Sequence, residues 1–171
     1  MPRKPSYRIE ALAPHHDRTC FSCGNAALDD YLRQRVGQDR RRFATVAYVL
    51  VAQGSPEVLG YYTLSALSVD FGEMPNGIVK KLPRYPAIPV TMLGRLAVDQ
   101  SVRKSGLGEF LLLDALQMSL RQADKIGSAG VVVDAIDNKA RSFYLHYGFI
   151  ALKDRRDRLF LPMKTIALLF S

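Results

Sequence analysis

Apolar and polar positions alternate along YRIEAL (residues 7–12), the pattern of a strand with one buried face. The period then changes. In NAALDDYLRQRV (25–36), Leu28, Tyr31, Leu32 and Val36 recur at helical spacing, which predicts a helix with Asn25 as N-cap and Asp29 and Asp30 in its first turns. TVAYVLVA (45–52) and VLGYYTLSAL (58–67), separated by QGSPE, predict an antiparallel hairpin. A proline-rich connection ending in LPRYPAIP leads to a strand, VTMLGRLAV (90–98), and a helix from about Gly108 to Ile126. GVVVDA (130–135) reads as a strand, KARSFYLHYG as a helix, and two short strands are expected around a turn at KDRRDR (153–158). Hairpins early and a β-α-β-α run late place the chain in the α/β (α+β) class.

Composition narrows this picture. A length of 171 residues with 48% hydrophobic content suits one globular domain, 1–171, with a full core. No window approaches the roughly 18–20 apolar residues of a membrane span. The N-terminus MPRKPSYRIE lacks the apolar region of a signal peptide, so a cytoplasmic protein is expected. Two cysteines, Cys20 and Cys23, make no disulfide framework. The formal charge of +8 points to a polyanionic partner or substrate.

The stretch SVRKSGLGEF (101–110) shows where an anion fits. It leaves a strand through adjacent cations and two glycines one residue apart, then enters a long apolar helix. Backbone amides at such a turn, with the positive end of the helix dipole, hold a diphosphate. Gly106 and Gly108 allow close approach, and Arg103 and Lys104 add charge. A dinucleotide fingerprint would need a third glycine and an acidic residue about 20 positions on, and a nucleotide-triphosphate loop would need Gly-Lys before Ser or Thr.

RKSGLG, following LAVD, resembles the Arg/Gln-x-x-Gly-x-Gly/Ala motif of the GNAT family of acyl-CoA-dependent N-acetyltransferases. DNKARSFYLHYGF resembles that family's second signature, and the two occur in the family's order. FSCGNAALDDYL and LFLPMKTI further resemble the branch of small toxins that acetylate aminoacyl-tRNA and pair with a ribbon-helix-helix antitoxin.

The resemblance implies a mixed twisted sheet with antiparallel N-terminal strands, splayed central parallel strands and helices on both faces. It implies acetyl-CoA as acetyl donor, with the backbone of Leu96 and Val98 pairing with pantetheine. Arg103, Lys104, Ser105, Gly106, Leu107 and Gly108 would hold the pyrophosphate, and Asn138 would face the cofactor arm. Tyr144 would protonate the departing thiolate, or else be a core aromatic packed beside Phe143 and Phe149. A homodimer is the expected assembly.

The chemistry of the residues agrees with that implication. A phenol of ordinary pKa about 10 carries its proton at neutral pH and can act as an acid. No general base stands out, which favours an α-amine substrate of pKa about 7.7–8.0 over a lysine at about 10.4.

The cations fall into three clusters, one with Arg40, Arg41 and Arg42, one with Lys80, Lys81 and Arg84, and one in KDRRDR. Three clusters in a basic chain suit a tRNA backbone better than a small amine, although each run alone is an ordinary solvated face. Arg95, a charge inside the expected cofactor strand, is expected on the substrate side. HHDRTCFSC gathers His15, His16, Cys20 and Cys23, but its spacing is not that of a folded zinc finger, and no metal is expected. The prolines Pro83, Pro86 and Pro89 predict either a rigid loop beside the site or a plain connector. Two other functions fit less well: acetylation of protein N-termini or small amines by the same fold, and a basic RNA-binding module without turnover.

Overall fold

The computed structural model describes residues 5–171; the first four residues of the N-terminal segment read above lie outside the described residues. Strands β1 (Tyr7–Ala11), β2 (Val46–Ala52), β3 (Val58–Asp70), β4 (Ala87–Val98), β5 (Gly130–Asp134), β6 (Ile150–Leu152) and β7 (Arg155–Pro162) hydrogen-bond in the order β1-β2-β3-β4-β5-β7-β6. The helices are α1 (Ala26–Asp30), α2 (Val36–Arg41), α3 (Leu107–Ala123), α4 (Asn138–His146) and α5 (Met163–Leu169). None of them is long and apolar enough to cross a membrane.

The chain divides into two compact units, each made of two separate stretches. The first comprises the segment ending at Leu64 and Arg95–Ala115. There β1 and β2 pair antiparallel from Tyr7 opposite Ala52 to Ala11 opposite Tyr48, and β2 continues antiparallel onto β3 with a bulge at Leu50 and Val51. The core of this unit joins Leu12, Phe21, Leu32 and Val36 to Val49, Val51, Tyr61 and Ala97, so the helical face expected at Tyr31, Leu32 and Val36 is the buried one.

The second unit comprises Ser65–Gly94 and Leu116–Ser171. In it β4 and β5 run parallel, in register only from Thr91 opposite Val131 to Leu93 opposite Val133. Beyond β5 the order is antiparallel, with β7 between β5 and β6. Its core packs Val69, Met74, Ile78 and Ile88 with Val132 and Phe160.

Several boundaries differ from the sequence reading. The first helix does not stop at Val36: Tyr31–Arg35 forms a π-helical turn that passes directly into α2, so helical backbone runs to Arg41. Strand β4 starts at Ala87, and Pro89 lies within it, lending its carbonyl to the Ala129 N–H at 2.8 Å. In KDRRDR only Lys153 and Asp154 make the turn, and Arg155 onward is already β7. Helix α5 was not expected, because its short apolar run after Pro162 carries no period that separates helix from strand.

Candidate active site

The turn after β4 is built by short-range hydrogen bonds. Asp99 caps the 3₁₀ turn Gln100–Val102 by accepting from the Ser101 N–H at 2.9 Å, and its other oxygen accepts from the Ser22 N–H at 2.9 Å. Desolvation pushes the Asp99 pKa up, but those two backbone donors outweigh it and hold it below the usual carboxylate range. Lys104 and Gly106 both adopt positive φ, 59° and 79°. A residue with a Cβ is strained in that region, whereas glycine is at ease there. The Ser105 hydroxyl donates to the Val102 carbonyl, and α3 begins at Leu107.

This arrangement suits a diphosphate. The opening N–H groups of a helix have no acceptor inside the helix, and Arg103, Lys104, Ser105 and Gly106 are exposed around that end. Gly106 faces open space, with no atom beyond its own chain neighbours within 4 Å of where its Cβ would be.

The Ser22–Gly24 segment that precedes α1 also contacts the turn. The Arg103 guanidinium donates to the Cys23 carbonyl, and the Gln100 N–H donates to the Ser22 carbonyl at 2.8 Å. Gly24 holds φ +91°, and a Cβ there would lie 2.4 Å from Arg103 Nη2. Cys23 leads into α1 by donating its N–H to buried Asp29 at 2.8 Å, while Asn25 caps the helix as its sequence position suggested. Burial, then the hydrogen bond with Asp29, pushes the Cys23 thiol up to about 11. Its only sequence signal was the CFSCGN spacing.

Leu96 and Val98 stand on β4 past the last residue in register with β5, so their backbone lies outside that pairing. Arg95 is half-buried with its guanidinium carbon 3.4 Å from the centroid of the Tyr31 ring. That cation–π contact gives a charge in a strand a partner inside the protein. The Tyr31 hydroxyl in turn donates to Asp39 at 2.8 Å, and burial followed by that bond pushes its pKa up to about 12.

Asn138 and Tyr144 belong to the second unit, on α4. Asp137 is the N-cap, accepting from the Ala140 N–H at 2.7 Å, and Asn138 is the exposed first residue of the helix. Tyr144 is 7% exposed. Its ring meets Phe149 edge-on at 5.4 Å and Phe143 at 5.3 Å, so the packed-aromatic reading describes its surroundings correctly. Burial drives its pKa up from the ordinary phenol value, which keeps the proton on the oxygen.

The cationic clusters border grooves. In the first unit Arg40 and Arg41 line one of about 480 Å³ with Leu12, Pro14 and Arg18, and Arg42 is exposed beside them. In the second unit Lys80 and Arg84 line another of about 510 Å³ with Lys153, while Lys81 is exposed next to it. Arg158 does not join them, since its guanidinium makes a two-bond pair with Asp134 at 2.7 and 2.8 Å.

His15 and His16 come together with Glu10 and not with the cysteines. The buried His16 ring accepts from the Ala13 N–H at Nδ1, 2.9 Å, and so carries its proton at Nε2, 2.6 Å from Glu10. Both ring nitrogens are thereby engaged within the protein.

Residues 84–167 match the family model described as the acetyltransferase (GNAT) domain. A tRNA-acetylating toxin of Mycobacterium tuberculosis is 37% identical over 133 residues, 78% of either chain. This chain belongs to the GNAT acetyltransferase family. Among solved structures, AtaT complexed with acetyl-methionyl-tRNAfMet is 34% identical, with a TM-score of 0.89 over 97% of this chain and 100% of that one. A mutant AtaT toxin bound to the C-terminus of the antitoxin AtaR and acetyl-CoA is 31% identical, with a TM-score of 0.82 over 96% of this chain and 98% of that one. The GNAT fold expected from two short motifs is therefore the fold of the whole chain, and acetyl transfer is its chemistry.

Proposed function

We propose that this protein is a toxin that transfers acetyl from acetyl-CoA to the α-amine of the amino acid on charged tRNA, and so blocks translation. The observation that carries this reading is the likeness, over nearly the full length of both chains, to AtaT in complex with acetyl-methionyl-tRNAfMet. The basic grooves at Arg40 and Arg41 and at Lys80 and Arg84 support a polyanionic substrate.

Acetyl-CoA supplies an activated acetyl thioester. Arg103, Lys104, Ser105 and the opening amides of Leu107 and Gly108 bind its diphosphate, with Gly106 keeping the turn open. The backbone of Leu96 and Val98 aligns the pantetheine arm, and Asn138 contacts that arm. The substrate's neutral α-amine attacks the thioester carbonyl, the C–S bond breaks, and Tyr144 gives its phenolic proton to the departing sulfur. The proton lost by the amine passes to solvent, and solvent returns one to Tyr144 before the next turnover. An α-amine of pKa about 7.7–8.0 is already partly neutral at physiological pH, so the reaction proceeds without a strong base.

Residues 1–171 act as one acetyltransferase domain, since each compact unit is assembled from stretches that the other interrupts in sequence. Charged tRNA is met in the cytoplasm, and that is where the protein works. It acts as a homodimer and is held in check by a ribbon-helix-helix antitoxin; the antitoxin-bound state of AtaT supports control by an antitoxin. Incubation with acetyl-CoA and total charged tRNA, followed by identification of the acetylated aminoacyl species, tests the proposal. Acetylated aminoacyl-tRNA is the expected product; acetylation confined to protein N-termini or small amines overturns it.

A further inference from the structure

The groove in the second unit has features that acetyl transfer does not require. Tyr85 lines it with 67% of its surface exposed. That exposure is built into the fold. Pro83 and Pro86 flank the Arg84–Tyr85 pair, each fixing its own φ. The buried side chains of Leu82 and Ile88 anchor the two ends, and the Pro86 carbonyl accepts from the Phe71 N–H at 2.9 Å. A ring this large is held in water on a stiff support.

Charge surrounds the same ring. Lys80, Arg84 and Lys153 line the groove, and no carboxylate does so among the described residues. Lys153 is fixed at the rim, its backbone N–H on the Glu73 carbonyl at 2.9 Å and its ammonium on Asn76 Oδ1 at 2.8 Å. Phe71 and Pro86 provide the apolar wall. A volume of about 510 Å³ falls within the range of roughly 300–1,000 Å³ usual for small-molecule sites.

We propose that this groove binds one unpaired nucleotide of an RNA, its base stacked on Tyr85 and its phosphates among Lys80, Arg84 and Lys153. An aromatic face serves any base, and cations beside it follow the backbone, which is the combination that single-stranded nucleic acid selects. An acidic peptide would match the cations but would use the π face only where it happened to carry an aromatic or cationic side chain, whereas every nucleotide presents a base to it. The proposal rests on the charged-tRNA reading for the identity of the RNA, and on the groove alone for its chemistry.

The test is binding of deacylated total tRNA, without acetyl-CoA, by the parent and by Tyr85→Phe, Tyr85→Leu and Tyr85→Ala. Exposure of the side chain predicts that all four proteins unfold at the same temperature. Stacking predicts parental affinity for Tyr85→Phe and a loss of about 5- to 150-fold for both Tyr85→Leu and Tyr85→Ala. Arg84→Gln and Lys153→Gln should each lower the salt slope of binding by about one. Parental affinity in Tyr85→Leu would mean an apolar or peptide-binding surface and overturn the proposal, as would parental affinity in Tyr85→Ala. If the parent acetylates charged tRNA while every Tyr85 variant binds like it, the groove assignment fails and the proposed function stands. Binding that depends on Tyr85 in a protein that acetylates no charged tRNA gives the reverse result.

Discussion

The acid role proposed for Tyr144 is compatible with the packed-aromatic environment that its sequence position also allowed. The aromatic packing that buries it also raises its pKa, so its proton stays in place throughout the working pH range. Tyr144→Phe keeps the ring and removes only the acid. Turnover should fall by about 10² to 10⁴ while acetyl-CoA affinity, read by calorimetry, is retained. The parent's kcat/KM should rise with pH as an α-amine of pKa about 7.7–8.0 deprotonates, then stay level to about pH 10. Because the phenol titrates above its ordinary value, a decline beginning below that pH would assign the acid to another group. Gly24 bears on the proposed diphosphate site through its close approach to Arg103. In Gly24→Ala the new Cβ meets the guanidinium at 2.4 Å and a backbone at φ +91°. Stability should drop by about 1–2 kcal/mol from the backbone alone, and acetyl-CoA should bind more weakly because Arg103 must move. Gly106→Ala, at φ +79° but in open space, carries the strain without that clash. The two variants separate the effects when thermal unfolding is measured beside cofactor titration.

Helices α2 and α4 end in the same way with different residues. After α4 the Gly148 N–H donates to Leu145 and the Phe149 N–H to Tyr144, with Gly148 at φ +93°. This is a Schellman cap, in which a left-handed residue turns the chain and an apolar neighbour folds back on the helix. The Phe149 ring lies 5.4 Å from Tyr144, so the spacing of FYLHYGF is the spacing of that cap. After α2 the Phe43 N–H donates to Arg40 and the Ala44 N–H to Asp39, but Phe43 holds φ 58° and is 97% exposed. The first ending was legible because Gly148 announces it. The second was not, because Gly37 is a weak helix former and the true cap has no glycine. Here tertiary contacts decide: Val36 is buried and Tyr31 reaches Asp39. Phe43→Gly should stabilise the protein by about 1 kcal/mol, since only backbone strain and an exposed ring are lost. A thermal midpoint no higher than the parent's would show that the ring has contacts of its own. The turn after β4 was legible for the opposite reason, as Gly106 sits where φ is positive; the Cys23–Gly24 segment that docks on it is a contact between stretches about 80 positions apart, which no local pattern encodes.

At the scale of the whole molecule, the excess of +8 has to be distributed among real surfaces before it argues for tRNA. Some cations are already occupied: Arg158 pairs with Asp134, Arg95 covers Tyr31, and Arg18 donates to the Leu32 carbonyl at 2.9 Å. Arg40, Arg41 and Arg42, and Lys80, Lys81 and Arg84, remain exposed around the two grooves. Binding a polyanion through such groups releases condensed counterions, so affinity falls with salt in proportion to the phosphates contacted. On the proposed site, acetyl-CoA is held largely by backbone amides and offers no comparable array. Acetylation of charged tRNA at limiting RNA should therefore drop steeply between about 50 and 200 mM salt, while acetyl-CoA binding drops far less. Replacing the three arginines, or Lys80, Lys81 and Arg84, by glutamine should flatten the slope in each case. Both replacements combined should flatten it further if each groove contacts its own phosphates. Slopes equal to the parent's in both triple variants would reduce these clusters to solvated surface and leave recognition of tRNA to groups nearer the transferred acetyl.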